Sequence, residues 1–433
     1  MGSRAAEVHA EQATDALIDA DIPYTPGSAR AALAHRTFRI VWAGAFASNI
    51  GTWMQNVALG VLAYQVSHSS AYVAALGFAQ MGPLFLLSMV GGALGDVVDR
   101  RKLLVACQAE QAIFSLVLAW VAAGAHPSKV ALFFCVMAVG VGNALNAPTF
   151  SAILPLLVGR RDLPGAVSLQ SVQMNLSRVV GPAIGGLILP YVKAAGVFAI
   201  NAGTYLFVIA TLLAVALPRP EPEPGEKGLA RVAGGLAVAR ADPLVRKCLL
   251  TIAAISFFCL PFIGLMPVLA AVDLHIKPAS ALYGGLYALF GLGAAIGAVS
   301  VGTVLVGRNR VAIIRVGLVT FAAALVGFGL VGSVAAAYPL ALAVGVFYFA
   351  TVTSLSTLLQ ENLADSVRSR VMALWIMGFG GTVPLGLMAG GAIASATSVR
   401  DVVVGGGVFA ALLAVATRLP RGPGRRARAV ASG

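Results

Sequence analysis

The chain has 433 residues, of which 59% are hydrophobic and only 11% charged, with a formal net charge of +13. A soluble domain carries about a quarter charged residues, so there is too little polar surface here to cover a globule, and the bilayer is the expected solvent. The bases sit in short clusters between apolar runs rather than on a basic helix interleaved with aromatics, which argues against a nucleic-acid partner and for charge that sets membrane topology.

Residues 1–37 are polar, acidic and alanine-rich, without the basic start and apolar run of a signal peptide, and read as a cytoplasmic N-terminal tail. Twelve apolar segments follow, each able to supply the roughly 20 residues that a spanning helix needs: 38–64, 70–95, 103–124, 129–158, 165–190, 196–217, 247–272, 279–306, 311–332, 338–362, 367–394 and 399–418. Six of them form a first bundle, 38–217. Residues 218–246 are a cytoplasmic linker, opening on the stiff run "PRPEPEP". The linker then places Leu229, Val232 and Leu236 on one helical face and Arg231 and Arg240 elsewhere, the pattern of an interfacial amphipathic helix. Residues 247–418 form a second bundle and 419–433 a basic cytoplasmic tail.

The expected fold is therefore an all-α membrane protein, with twelve transmembrane helices in two pseudo-symmetric six-helix bundles and both termini cytoplasmic. In that orientation only Lys129, Lys193, Lys277 and Arg400 lie in outer loops, and one further base, Arg178, falls inside the fifth span. Every other base lies on the cytoplasmic side, as the positive-inside rule requires. The halves also echo one another: "GRRDLPGAVSL" leads into "VGPAIGG", and "ADSVRSRVMAL" leads into "VPLGLMAGG".

Cys107, Cys135, Cys248 and Cys259 all lie in apolar runs, and the five histidines lie in tails or short loops. No C-x-x-C pair and no G-x-x-x-x-G-K-[ST] loop occurs, so neither a disulfide framework nor direct ATP drive is expected. With no cluster of His, Cys and acids on either membrane side, no metal, cofactor or enzyme activity is expected.

"GGALGDVVDRRK" (residues 91–102) resembles the loop between the second and third helices of the major facilitator superfamily, G-x-L-a-D-r-x-G-R-r. Gly92, Leu94, Asp96, Arg100 and Arg101 match that loop, while Val97 stands for a base and Asp99 for the second glycine. "NIGTWMQNVALGVLAYQVSHSS", "NALNAPTFSAILPLLVGRRDLPGAVSLQSVQMNLSRVVGPAIGGLI" and "LQENLADSVRSRVMALWIMGFGGTVPLGLMAGG" resemble, in order, the first, fourth to fifth, and tenth to eleventh helices of one branch, the enterobactin-exporter-like and macrolide-efflux-like permeases.

The resemblance implies a gate in which Asp96, supported by Gly92, Arg100 and Arg101, faces the eleventh helix. The alternative is bases that simply hold a loop inside. "RVVGPAIGG" resembles the fifth-helix motif of drug/proton antiporters, which implies a second gating element at Gly181, Pro182 and Gly185. Many such antiporters carry an aspartate in the first helix where this chain has Gly51.

An ionisable residue inside a span is costly and marks a functional site or a structural pair. Glu110 and Arg178 are therefore the candidates for proton coupling. Arg178 could instead contact an anionic substrate or serve as a hydrogen-bond hub with Asn175, and Glu110 could instead pair with Gln108 or Arg101. Asn49, Trp53, Gln55, Asn56, Gln80, Asn143, Asn146, Gln173, Phe257 and Trp375 are the candidate lining of a substrate cavity, amides and aromatics being suited to an amphiphile. The same residue types also pack helices in any bundle.

The expected protein is a monomeric secondary transporter in the cytoplasmic membrane of a bacterium. It would export a hydrophobic or amphiphilic small molecule by alternating access, coupled to protons. Importer or lysophospholipid flippase of the same fold, and a non-transporting sensor or scaffold, are the alternatives.

Overall fold

The computed structural model describes residues 25–97, 99–215, 229–277 and 280–417, and every regular element among them is helical. A short helix, α1 (Ala29–Ala34), precedes α2 (Arg36–Ser67), α3 (Ser70–Val97) and α4 (Arg100–Ala123). The helical trace Lys129–Leu213 then turns sharply where Gly159 (φ 72°) and Lys193 (φ 57°) leave helical geometry. Those turns divide it into three rods: α5 (129–158), α6 (160–192) and α7 (194–213).

The second half comprises α8 (Leu229–Ala241), α9 (Pro243–Phe258), α10 (Pro261–Val272), α11 (Ala281–Gly302), α12 (Arg310–Leu330) and α13 (Val334–Glu361). A five-residue π turn, Met377–Gly381, joins α14 (Asp365–Ile376) to α15 (Thr382–Ala396), and α16 (Val399–Ala416) is last. Among the described residues nine stretches are long and apolar enough to cross a membrane, one of them the 53-residue Arg161–Leu213 that Lys193 interrupts.

The helices begin where short polar side chains satisfy their first N–H groups. Asp99 accepts from the Arg101 and Lys102 amides (2.9 and 3.2 Å), Asp242 from those of Leu244 and Val245 (2.7 and 3.3 Å), and Asn309 from those of Val311 and Ala312. Ser128, Ser280, Ser333 and Ser398 cap α5, α11, α13 and α16 in the same way. At Asp242 the cap is followed by Pro243 in the first turn, so α9 starts inside the segment expected to be linker. The seventh span is likewise two helices rather than one, because the chain turns at Cys259 and Leu260 before Pro261 opens α10.

Successive spans run in opposite directions, with α9 and α10 together forming one span and α14 and α15 together another. The turns at 99, 159, 303–309 and 362–364 share one end with residue 25 and residue 417, here termed the tail end. The turns at 68–69, 124–128, 193, 273–277, 331–333 and 397–398 lie at the far end. Contacts fix this arrangement: Gly44 and Gly51 of α2 meet Thr211 and Asn201 of α7, and Gly317 and Gly327 of α12 meet Thr351 and Leu340 of α13, both antiparallel.

One apolar cluster runs through both halves. A second, including Phe38, Val41, Leu104, Ile153, Leu157, Ala166 and Leu212, belongs to the first half alone and lies at its tail end. In the linker helix α8, Gly235 and Ala239 are buried, with Gly235 against the Arg370 backbone and Leu374 of α14. Leu236 is 43% exposed. The buried face of α8 is thus the glycine/alanine face, because only small residues allow its backbone so close to α14. Leu229, Arg231 and Val232 lie outside the residues whose side chains are described.

Candidate functional site

The site builds from one face of α6. At 100° per residue, Ser168, Ser171, Asn175, Arg178, Pro182 and Gly186 share one stripe. Its tail-end half is polar and open: Ser168 and Ser171 are exposed and Asn175 half-buried, the Asn175 amide donating to the Ser171 carbonyl (2.9 Å). Its far-end half is sealed. A Cβ built on Gly186 would clash with the Cα of Gly284 in α11, and one on Gly284 would meet the Pro182 carbonyl at 3.0 Å. Arg178 stands at the junction of the two halves, its backbone carbonyl packed against Gly291 of α11.

The Arg178 guanidinium lies 5.7 Å from the Trp53 ring of α2 and 5.1 Å from the Phe349 ring of α13. The first ring belongs to the first bundle and the second to the other. A cation over an aromatic face gains about 0.5–1 kcal/mol when exposed and about 2 or more when desolvated, so this pair of rings offsets part of the cost of holding the charge between helices. Among the described residues Arg178 has no hydrogen bond and no ion pair.

The far-end seal occurs twice. Gly181 and Gly185 bring α6 against α2, where a Cβ built on Gly185 would lie 3.1 Å from the Met54 Cα. Gly386 and Gly390 do the same for α15 against Phe257 and Pro261. Gly186 then meets Gly284 across the bundle interface, and Gly391 meets Ala74 of α3. Gly60 of α2 packs on Pro267 of α10 to complete this end. The echo between "GPAIGG" and "GLMAGG" is a repeated packing unit: its first two glycines hold a helix within its bundle and its last one crosses to the other.

A family model described as transmembrane secretion effector matches residues 27–429, nearly the whole chain. The chain belongs to that family of major facilitator proteins. It is 31% identical over 274 residues to the enterobactin exporter EntS of Shigella boydii serotype 18, and to the same degree to EntS of Escherichia coli. The match covers 62% of this chain and 64% of the exporter, so it spans somewhat less than two thirds of that relative. Among solved structures, a bacterial homolog of the human lysosomal transporter Spinster, inward-facing and unoccupied, superposes with TM-score 0.70 at 17% identity, covering 89% of this chain and 98% of that one. A mutant of the nucleoside transporter NupG gives 0.72 at 11% identity, with 88% and 99% covered. Identities this low speak to the fold alone. The chain is thus a multi-pass membrane protein of the major facilitator fold.

The remaining sequence-derived residues of this family member are dispersed. Asn56 and Gln80 pair at 2.5 Å between α2 and α3, and Gln108 donates to Asn146 at 3.2 Å between α4 and α5. Asn49 is half-buried and Asn143 exposed. Gln173 is buried on the face of α6 opposite the polar stripe. Phe257 stacks edge-on against Phe258, and Trp375 is buried in the apolar cluster that runs through both halves. Gly92 and Asp96 lie in the last turns of α3, but their surroundings are outside the described residues. Arg100 opens α4, and the Arg101 guanidinium donates to the Leu213 carbonyl at 2.6 Å.

Gln55 is 2% exposed and belongs to a polar network inside the first bundle. Its Oε1 accepts from Ser115 Oγ of α4 (3.1 Å) and Asn201 Nδ2 of α7 (2.8 Å). Thr204 bonds Asn201, and Thr52 bonds the Tyr205 hydroxyl at 3.2 Å. Gly51 packs directly on Asn201 and Thr204, so the position where antiporters carry an aspartate has no room for a side chain. Glu110 lies beside this network, its carboxylate packed against Gly142 of α5. Gln108 and Arg101 have other partners, and among the described residues neither an ion pair nor a hydrogen bond links Glu110 to Arg178.

Phe349, Gly284, Gly291 and Tyr348 were not legible in advance. Nothing in an apolar helix marks which aromatic faces a cation or which glycine crosses an interface.

Proposed function

We propose that this secretion effector exports a hydrophobic or amphiphilic small molecule by alternating access, with protons as the coupling ion. The observation that carries the reading is the α6 face: polar and open toward the tail end, closed by glycine contacts toward the far end, with Arg178 at the boundary. Two bundles in close backbone contact at the far end, with a polar and open face toward the tail end among the described residues, suit alternating access around a site between them. The chain is read as twelve spans, with Arg161–Leu213 counted as two and α2 and α3 added to the stretches that qualify by composition. The clustering of bases at the tail end favours placing that end in the cytoplasm, which makes the described state inward-open. Family membership and the likeness to an enterobactin exporter support the export direction.

Within this reading Glu110 carries the proton. It is a carboxylate inside a span without an ion-pair partner among the described residues, and it adjoins a hydrogen-bonded network that reaches α2, the helix that also supplies Trp53 to Arg178. Asp96, with Gly92, Arg100 and Arg101, acts as the cytoplasmic gate against the eleventh span. Trp53, Asn49 and Asn143 line the substrate path.

The test is accumulation of a panel of amphiphilic compounds in cells with and without the protein, repeated after the proton gradient is collapsed. Lower accumulation with the protein, restored by the uncoupler, is the expected result. Equal accumulation throughout would remove the export reading. Export that survives in Glu110→Gln would remove the carboxylate from the coupling step, and an unchanged rate in well-expressed Asp96→Asn would remove the gate.

A further inference from the structure

The junction between the open and sealed halves of the bundle interface holds a cation whose ring-facing sides are occupied and whose N–H edges are not. The arginine guanidinium is planar, presents five donors and stays charged under all conditions of interest. At Arg178 the Trp53 and Phe349 rings take up its aromatic contacts, one from each bundle. No carboxylate, amide or carbonyl among the described residues accepts from its edges, and Asn175, one turn away, is engaged by the Ser171 carbonyl.

A second observation points the same way. Tyr348, adjacent to Phe349 on α13, is only 1% exposed, and its hydroxyl has no hydrogen-bond partner while lying within electrostatic reach of Arg178. Ser256 of α9 is fully buried beside that hydroxyl, and the two hydroxyls face one another without a hydrogen bond of good geometry. Buried polar groups left without partners are rare in folded proteins and call for an explanation.

We infer that Arg178, Trp53, Phe349 and Tyr348 form an oxyanion-binding subsite, and that the transported molecule is an amphiphilic organic anion bearing a carboxylate or similar planar oxyanion on an aromatic or alicyclic body. The inference rests on the export reading for transport but not for binding. An oxyanion fits the free guanidinium edge in a two-pronged hydrogen bond, while the apolar body lies along the Trp53 and Phe349 rings. Ser168, Ser171 and Asn175 supply a polar approach from the tail end to that point. A neutral amphiphile leaves the guanidinium edge unmatched, and a cation is repelled by it. Because the two rings come from different bundles, the anion would be held where motion of one bundle against the other changes its surroundings.

The experiment uses the full-length protein in nanodiscs of phosphatidylcholine, so that no anionic lipid competes. Binding of three probes sharing one ring system is measured by calorimetry: naphthoate, naphthamide and naphthylmethylammonium. Wild type is expected to bind naphthoate about tenfold more tightly than the amide, the scale of one charge-assisted hydrogen-bond pair, and the ammonium most weakly. Arg178→Gln is expected to erase the preference while retaining amide binding. Arg178→Lys is expected to keep part of it, as a point charge without the planar fork.

If Arg178→Gln does not fold, Phe349→Leu serves instead: it weakens both naphthoate and naphthamide through the lost ring contact, and narrows the naphthoate preference several-fold because the guanidinium loses one of the two rings that position it. Equal binding of naphthoate and naphthamide to wild type, or preference for the ammonium, overturns the inference, even where cells expressing the protein export neutral compounds. Selective naphthoate binding without export leaves the subsite standing and removes the transport reading.

Discussion

Gly186 of α6 and Gly284 of α11 meet backbone to backbone, so that a Cβ on either would clash with the other's Cα. The two helices belong to different bundles, and this contact lies at the far end, where the bundles touch. Backbone approach of this kind is how small residues hold membrane helices together, since lipid tails compete with any apolar side chain for packing. A valine at either position is therefore expected to part the far end. Spin labels at Ser69 and Ser398, on the far-end rims of the two halves, would show a longer distance in Gly186→Val and Gly284→Val. An unchanged distance would mean that the seal rests elsewhere.

The same logic predicts equivalence between the repeated units. Gly391 sits on Ala74 as Gly186 sits on Gly284. Gly391→Val should lengthen the same far-end distance, and Gly185→Val, which meets Met54 inside the first bundle, should instead lower thermal stability. A shift in the far-end distance from Gly185→Val alone would contradict the assignment of one glycine to each interface.

Asp99 departs from the glycine usual in the superfamily loop, and its carboxylate caps α4. Loss of an N-cap side chain costs about 0.5–2 kcal/mol, with alanine worse than glycine. Thermal unfolding in detergent should rank wild type above Asp99→Gly and Asp99→Gly above Asp99→Ala. Equal midpoints for all three would show that the cap contributes nothing.

Gln55 joins three helices through one oxygen. Gln55→Leu strands the Ser115 hydroxyl and the Asn201 amide. An unsatisfied buried donor costs about 1–3 kcal/mol, with hydrogen bonds in membranes averaging nearer 0.6 kcal/mol in double-mutant cycles. A lower unfolding midpoint with an unaltered ligand preference is expected. A changed preference would place Gln55 in the substrate path after all.

At the tail end Asp162 ties the segment before α2 to the first turn of α6, accepting from the Gly27 amide (2.9 Å) and bonding His35 Nε2 (2.8 Å). Asp162→Ala should free this segment, and trypsin should then cut at Arg30 and Arg36 several-fold faster. Unchanged cleavage would show that burial of Ala31 and Ala32 holds it without the carboxylate.

Much of the helix inventory was legible from the chain alone. The segment expected at 70–95 is Ser70–Val97, and those expected to end at 158 and 190 end at Gly159 and close to Lys193. Apolar run length and turn residues determine this, because backbone hydrogen bonds must be satisfied within each span. The break at Cys259–Leu260 and the π turn at Met377–Gly381 were not visible, since both lie inside uninterrupted apolar sequence. The site was legible in part. Arg178 stood out because a base inside a span is expensive, whereas Gln55 and Trp53, only two residues apart, looked alike and face different surroundings.

By itself, then, the sequence determined that this chain lives in a bilayer, where its helices turn, and which two ionisable residues lie within them, because hydropathy and charge are local properties of the chain. Only the tertiary structure decided that Arg178 lies between rings of opposite bundles, that Gly186 rather than Gly185 crosses the interface, and that the described state is closed at the far end. Those relationships join residues from separate helices, and in a chain this rich in glycine, alanine and aromatics many pairings satisfy the local pattern. Close packing selects one of them.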